Sequence, residues 1–540
     1  MSVSHSAGGA FSSLSEQRLV RLVVLAGLVA GLGYLATELY VLSDIRGFPL
    51  DDSWIHLQFA RNLAAGEGLT YNPGELVIGT TAPLWTALSS FLHLLPGSPV
   101  IWSKLAGLGL YLLGMHATFR LARALSLSKQ LAALAALLTM STGWLVWSAL
   151  SGLEIPLFIL LSLWGIILHI RERSRPSSTP PYSWFLLGLS ILARPEGMLL
   201  AALAVIDRLL VWGQGEDGRL RWQPPKWGSL WAGIGVVVLL VGPLALFNLA
   251  VGGSVLPSTF AAKTAGFQQW LPNLQYLYSV LAIFFRPQPF MVLFAGAGAI
   301  ALVERLGTSK DRGLLPALWL FGLPLAYSLM GSASGEVVAG NFGRYFFPLY
   351  PVLAVVGVLG LEGLVQFLAT QIPQGWPLRV LAAVLVLVLL WPTFSSLILG
   401  AGRYVQTVAN VRDSDVEVAY WLGERLPPAA LLAVNDVGAI KYLLPNSVLD
   451  LAGIITPKAR RYMKDAAERE GDWRKGVQRL LEEERPDYLV VFPAWFPWLV
   501  SEGSPYQLVH GVRIPGNIAM GGDELVVLST PWTRYPLVEK

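Results

Sequence analysis

The chain has 540 residues, of which 54% are hydrophobic and only 14% charged. A soluble domain carries about a quarter charged residues, so this composition excludes an ordinary soluble enzyme. A net charge of +4 is too small for a nucleic-acid surface, and the lack of cysteine excludes disulfides and thiolate metal sites.

In chain order, residues 1–17 are polar, and Arg18 and Arg21 then precede an apolar stretch reaching about Val41. That stretch is long enough to cross a bilayer and ends without a small-residue cleavage site, so it reads as an anchor. Further apolar runs lie at 99–119, 130–149, 153–170, 182–193 with 197–212, 228–250, 286–303, 314–331, 346–367 and 378–399. The pair at 182–212 is interrupted by Arg194-Pro195-Glu196-Gly197, where proline removes a helix donor. Broken backbone at membrane depth is tolerated beside a protein cavity, so two short helices are expected to meet there.

The short run 83–95, between Pro83 and Pro96, is placed by charge. The clusters Arg120/Arg123/Lys129, Arg171/Arg173/Arg175, Arg208/Arg219/Arg221/Lys226 and Arg305/Lys310/Arg312 share the cytoplasmic side only if 83–95 does not cross. An amphipathic helix on the outer interface is therefore expected. The result is about eleven spans, with the N-terminus inside and the C-terminus outside.

From about residue 405 the sequence alternates short apolar strands with polar helices. Helices are expected at 414–425 and 458–484, and strands at 431–434, 448–451, 488–492, 506–512 and 524–529. No nucleotide-binding glycine motif, internal repeat or His-x-x-x-His spacing is present.

The chemistry concentrates in the first outer loop, 43–98, which opens Leu50-Asp51-Asp52-Ser53-Trp54-Ile55-His56. Ionised groups beside a membrane mark function more often than in soluble proteins. A carboxylate is the usual base for a hydroxyl attacking an anomeric carbon. Equally, Asp51 or Asp52 would cap a helix over 53–65. Gly66-Glu67-Gly68 and Asn72-Pro73-Gly74-Glu75 mark tight turns. Few cations lie on the outer side: Arg46, Arg61, Arg194, Lys263, Arg286 and Arg344. Arg344 and Lys263 are placed to meet a lipid phosphate or to snorkel at the interface. Arg194 is placed to do the same or to pair with Glu196 or Glu154. Trp54, Trp85, Trp144 and Trp147 read as interfacial anchors or sugar-stacking rings. Asp436 and Asp450 read as turn or cap residues.

The stretch from Asp51 to Trp85 resembles the first outer loop of GT-C type glycosyltransferases, nearest the branch of the mycobacterial terminal arabinofuranosyltransferases. The resemblance continues through Ser151-Gly152-Leu153-Glu154, Arg194-Pro195-Glu196-Gly197, Leu256-Pro257-Ser258-Thr259 with Lys263, and Gly343-Arg344-Tyr345 with Pro348. In the tail it takes in Asn435-Asp436-Val437-Gly438-Ala439-Ile440 and Leu449-Asp450-Leu451-Ala452-Gly453. Ser53-Trp54, His56, Thr80, Ala82 and Ser258 depart from the family's pattern, and the changes at Trp54, His56 and Ser258 argue against assuming arabinose.

The resemblance implies a GT-C membrane domain over 1–404 and an extracytoplasmic α/β domain over 405–540. It implies a polyprenyl-phosphate sugar donor, catalysis by Asp51 and Asp52, and a glycan, lipid or protein acceptor. The expected plan has Arg344, Lys263 and Arg194 at the donor phosphate. Glu154, Glu196, Trp54, His56 and Tyr345 take sugar-contacting or structural places. No cofactor is required, although a divalent cation on Asp51, Asp52 and Glu154 fits the preference of hard cations for carboxylates. The competing reading is a flippase for a lipid-linked sugar in the plasma membrane, which would be expected to show repeat symmetry among its spans.

Overall fold

The structure, a computed structural model, describes residues 14–173, 181–214, 219–255, 273–285, 288–308, 310–329, 340–372 and 375–538. It opens with α1 (Glu16–Leu42), followed by α2 (Asp52–Ala64) and α3 (Pro83–Leu92) of the 43–98 loop. Next come α4 (Pro99–Ala124), α5 (Lys129–Met140), α6 (Gly143–Ala149), α7 (Ile155–Arg173), α8 (Tyr182–Ala193) and α9 (Gly197–Leu209). A small hairpin, β1 (Trp212–Gln214) with β2 (Leu220–Trp222), leads to α10 (Trp227–Gly252), α11 (Leu274–Phe285), α12 (Pro289–Glu304) and α13 (Leu315–Leu329). A 3-10 segment, Gly340–Leu349, enters α14 (Tyr350–Gln371), and α15 (Trp376–Val411) closes the bundle.

Among the described residues six helices are long and apolar enough to cross a membrane: α1, α4, α7, α10, α14 with its 3-10 entry, and α15 with its continuation. Counting each bent pair as one span gives eight, and α8 and α13 are shorter apolar helices. The expected figure of about eleven thus counts apolar segments rather than full-length helices. Two segments differ from expectation. The run at 130–149 is not straight, because α5 and α6 meet at 67°. Residues 274–285, placed in a polar outer segment, form the apolar helix α11, folded back on α12 at 111°.

Buried polar contacts and small residues fix the bundle. Lys104 of α4 donates to both oxygens of Glu38 on α1, at 2.6 and 2.8 Å, and Tyr404 of α15 donates to the same carboxylate at 2.9 Å. Each group is buried and paired, as an ion away from water must be. α12 and α14 run so close that a β-carbon on Gly298 would lie 1.9 Å from the Val356 carbonyl oxygen. Small residues permit this backbone approach between apolar helices.

The tail continues with α16 (Glu417–Gly423), β3 (Leu432–Val434), α17 (Gly438–Leu443), β4 (Val448–Asp450), α18 (Pro457–Glu470), α19 (Trp473–Glu484), β5 (Tyr488–Val491), β6 (Gln507–Arg513) and β7 (Glu524–Ser529). The strands form one mixed sheet in the order β4-β3-β5-β7-β6, parallel across β4-β3-β5 and antiparallel at β5-β7 and β7-β6. The single helix expected over 458–484 divides at Gly471, whose left-handed backbone ends α18, before Asp472 caps α19.

One face of the sheet packs through Ala433, Leu489 and Val491 on Val477 and Leu481 of α19. The other face, through Leu432, Val434 and Val490, shares a core with Ile55 and Phe59 of α2 and with Tyr71 and Val77 of the 43–98 loop. Strands buried on both faces read as unbroken apolar runs, as β3 and β5 do. The sheet is thereby docked on the loop that carries the acidic pair.

Candidate active site

The two aspartates that open α2 have different partners. Both Asp51 oxygens accept backbone N–H groups at the start of α17, from Ala439 and Gly438, each at 2.7 Å. Asp51 makes no side-chain cap bond to its own helix, contrary to the simplest capping expectation. It caps a helix in the tail instead, where the partial positive charge of a helix N-terminus favours a carboxylate. A glycine is needed there, since a β-carbon on Gly438 would fall 2.2 Å from the Asp51 carbonyl oxygen.

Burial pushes the Asp51 carboxyl up to about 7 and outweighs the two amide bonds, with Asp52 and Asp450 adding repulsion. Asp450 is also buried and is pushed up to about 6 by desolvation, against amide bonds from Ile455, Ala452 and Ile454. Those bonds make it the turn residue expected. Burial and the neighbouring Asp51, Asp52 and Asp450 raise the Asp436 carboxyl. Asp415, for which the sequence offers no pointer, is wholly buried, and its carboxyl oxygens make no hydrogen bond among the described residues.

Asp52 faces elsewhere. Its carboxylate pairs with Arg344, and its side chain is 39% exposed while that of Arg344 is 6% exposed. The Arg344 guanidinium lies 5.6 Å from the ring centre of Tyr345. The Arg194 guanidinium lies 5.6 Å from the same ring, so Tyr345 stands between two cations.

Arg194 leaves α8 in extended backbone because the residue before a proline is pushed out of the helical region. Its guanidinium donates to Glu154 and, at 2.7 and 3.2 Å, to Glu196. Tyr327 donates to Glu196 at 2.9 Å, and His56 Nε2 lies 3.1 Å from Glu154. Asp52, Arg344, Tyr345, Arg194, Glu154, Glu196 and His56 therefore form one connected set. The Ser151–Glu154 turn is tied to the loop by Ser53 Oγ donating to the Ser151 carbonyl at 2.6 Å. Trp85 Nε1 adds a bond to the Gly152 carbonyl at 2.9 Å.

Several expectations change. The cation set Asp51, Asp52 and Glu154 is not assembled: Asp51 is spent on amides and Glu154 on His56 and Arg194. Among the described residues no three acidic or histidine side chains converge on a metal position. Arg194 already has two carboxylate partners, which places it in the scaffold rather than at a donor phosphate. Trp54, about 200° around α2 from Asp52, packs between Phe48 and Tyr442 and is 3% exposed. Trp85 and Trp147 are buried, with indole N–H groups bonded inside the protein, so neither is an interfacial anchor. Arg61 donates to the Tyr442 carbonyl and covers its ring. Lys263, Ser258 and Arg286 lie outside the described residues. Asn72 bonds both polar groups of Val448 on the edge strand β4, which turns a loop motif into a docking contact. Its short side chain in an Asn-Pro-Gly turn was the available signal.

Residues 404–529 match a family model described as "Domain of unknown function (DUF8728)". The chain is similar to terminal beta-(1->2)-arabinofuranosyltransferase of Mycobacterium tuberculosis, 29% identical over 357 residues. That match takes in 57% of this chain and 52% of the relative, so the chain spans about half the length of the relative it matches. Its structure resembles that of ArnT from Cupriavidus metallidurans, solved bound to undecaprenyl phosphate, with a TM-score of 0.59 and 14% identity, covering 95% of this chain and 98% of that one. It also resembles the Archaeoglobus fulgidus oligosaccharyltransferase in its apo form, with a TM-score of 0.56 and 12% identity over 96% and 76% of the two chains. Matched over nearly all of its length to these two structures, the chain has the GT-C fold.

Proposed function

We propose that this protein is a membrane glycosyltransferase that moves a sugar from a polyprenyl-phosphate donor to an acceptor hydroxyl on the outer face of the cell membrane. The observation that carries the reading is the pairing of a half-exposed Asp52 with a buried Arg344 at the bundle end that carries the sheet. The undecaprenyl phosphate of the ArnT structure supplies the donor class.

Asp52 is the base. In the empty site its carboxylate rests on Arg344. A donor phosphate arriving at the guanidinium competes for the same N–H groups and releases the carboxylate toward the acceptor hydroxyl. The hydroxyl oxygen then attacks the anomeric carbon, its proton passes to Asp52, and the carbon–oxygen bond to the lipid phosphate breaks. Arg344 holds the charge that develops on the leaving phosphate, with Lys263 as a second proposed cation. One displacement inverts the anomeric centre. The set around Arg194 holds Tyr345, and through it Arg344, in place. A divalent cation, if used, would bind at Asp52 together with the donor phosphate. The acceptor is a glycan, lipid or protein, and the N-terminus is cytoplasmic.

The test is transfer by the purified full chain from a panel of radiolabelled undecaprenyl-phosphate sugars, arabinofuranose included, with native envelope extract as acceptor. Label leaving the lipid with wild type but not with Asp52→Asn supports the reading. Label that stays on the lipid with every donor, or an Asp52→Asn protein as active as wild type, overturns it.

A further inference from the structure

A second built site lies at the far end of the bundle. α7 carries Glu154 just before its first residue and Arg173 at its last; its 19 residues separate these ends by about 28 Å, close to a bilayer core. Around Arg173 a cavity of about 180 Å³ is lined by Arg173, Arg208, Lys226, Trp184, Ser229 and Leu230, with Pro225 and Gln223 nearby. Three cations reach it, and no carboxylate is among its described lining residues.

The acids paired with Arg173 and Arg208 are not among the lining residues. Arg173 is paired with Asp207 and Asp311, and Arg208 donates to Glu172 at 3.2 Å. Arg208 is about nine-tenths buried, and its Nε makes no hydrogen bond. Trp184 and Leu230 give the cavity an apolar floor. Lys226, Ser229 and Leu230 line it from the start of α10, which has the smallest buried share of the six long apolar helices among the described residues, and the neighbouring rings of Trp227 and Trp231 are exposed.

We propose that this cavity binds the phosphate of an anionic phospholipid in the leaflet opposite the Asp52 site, with its acyl chains along α10. The guanidinium fork of Arg208 and the ammonium of Lys226 suit a phosphate oxygen. The apolar floor and the exposed indoles of Trp227 and Trp231, next in sequence to the lining residues Lys226 and Leu230, favour a membrane lipid over a soluble phosphate ester. The site is independent of the proposed transfer reaction and stands or falls without it.

The test is native mass spectrometry of the delipidated full chain, titrated with phosphatidylglycerol, phosphatidylcholine, and glycerol phosphate with inorganic phosphate as soluble probes. Two variants leave the buried ion pairs whole: Lys226→Gln removes one charge at the rim, and Ser229→Trp fills the cavity. Phosphatidylglycerol is expected to bind in preference to phosphatidylcholine. That preference should fall about fivefold in Lys226→Gln, the effect of one basic residue at an anionic lipid surface, and vanish in Ser229→Trp. If the soluble probes displace the lipid, the phosphate chemistry holds and the source is soluble; if they do not, the source is the lipid. Equal binding of the two lipids by wild type, or a preference unchanged in both variants, overturns the proposal.

Discussion

Asp51 and Gly438 are 387 positions apart in the chain, yet the carboxylate of one receives the backbone N–H of the other at 2.7 Å. One member of the acidic pair thus binds the loop to the tail, while its neighbour Asp52 faces Arg344. Adjacent residues on a helix point about 100° apart, so a pair of carboxylates is suited to two separate duties.

Asp52→Asn removes the proposed base but keeps the size of the side chain. Transfer should fall by roughly 10²-fold or more, the usual contribution of a positioned base. Thermal stability should fall as well, because the buried Arg344 guanidinium loses its carboxylate partner. Initial rates at saturating donor, read beside a melting curve of the same preparation, separate the two effects.

Gly438→Ala should loosen the tail from the loop. The added methyl meets the Asp51 backbone and forces both amide bonds apart. A loss of ~1–3 kcal/mol is expected for a disrupted buried contact of this kind. Hydrogen exchange should quicken in α2 and α17 together and stay unchanged in α4 and α7. Faster exchange in α17 alone would show that the loop does not depend on the tail.

The Asp51 junction should weaken as pH rises. The folded-state carboxyl lies at about 7, above the ordinary carboxylate value, so the folded protein holds this proton more tightly than the unfolded chain does. Its contribution is complete below the ordinary carboxylate range and is lost as pH climbs through about 7. Asp450, pushed up to about 6, acts in the same direction, as does the raised Asp436. Proteolysis of the tail is expected to accelerate between mildly acidic and mildly alkaline buffer. Asp51→Asn should flatten part of that rise.

Arg194→Gln leaves Glu154 and Glu196 buried without their cation. Breaking a buried pair on one side costs about 3–5 kcal/mol, so the protein should lose folded yield as well as activity. Glu154→Gln in the same chain should recover part of the yield. Fluorescence-detected size exclusion reports both outcomes.

The sequence carried the apolar segments, the break at Arg194-Pro195 and every strand of the tail, because period and proline chemistry are local signals. It also carried the acidic pair and Arg344 as residues of interest. The direction of each aspartate was not legible, since Asp51 is satisfied by amides hundreds of positions away. The saturation of Arg194 was half-visible: Glu196 is two residues on, but the reach of Glu154 depends on how α7 and α8 lie together. α11 escaped notice because the next span was read as beginning at Arg286-Pro287, which left the apolar run before it in the outer segment. Asp415 gave no local sign, as its burial arises only when α15 meets the sheet.

The docking of the sheet on the 43–98 loop also sets an order of assembly. During synthesis that loop emerges long before β4 exists, so Asn72 waits for Val448 with its amide hydrated. A polypeptide arrested after its last hydrophobic helix holds Asp52 and Arg344 but lacks the platform on which α2 rests. On the proposed mechanism, competence to react would arrive with the final hundred or so residues, and a prematurely terminated chain is expected to be inert in the bilayer instead of being an unregulated catalyst.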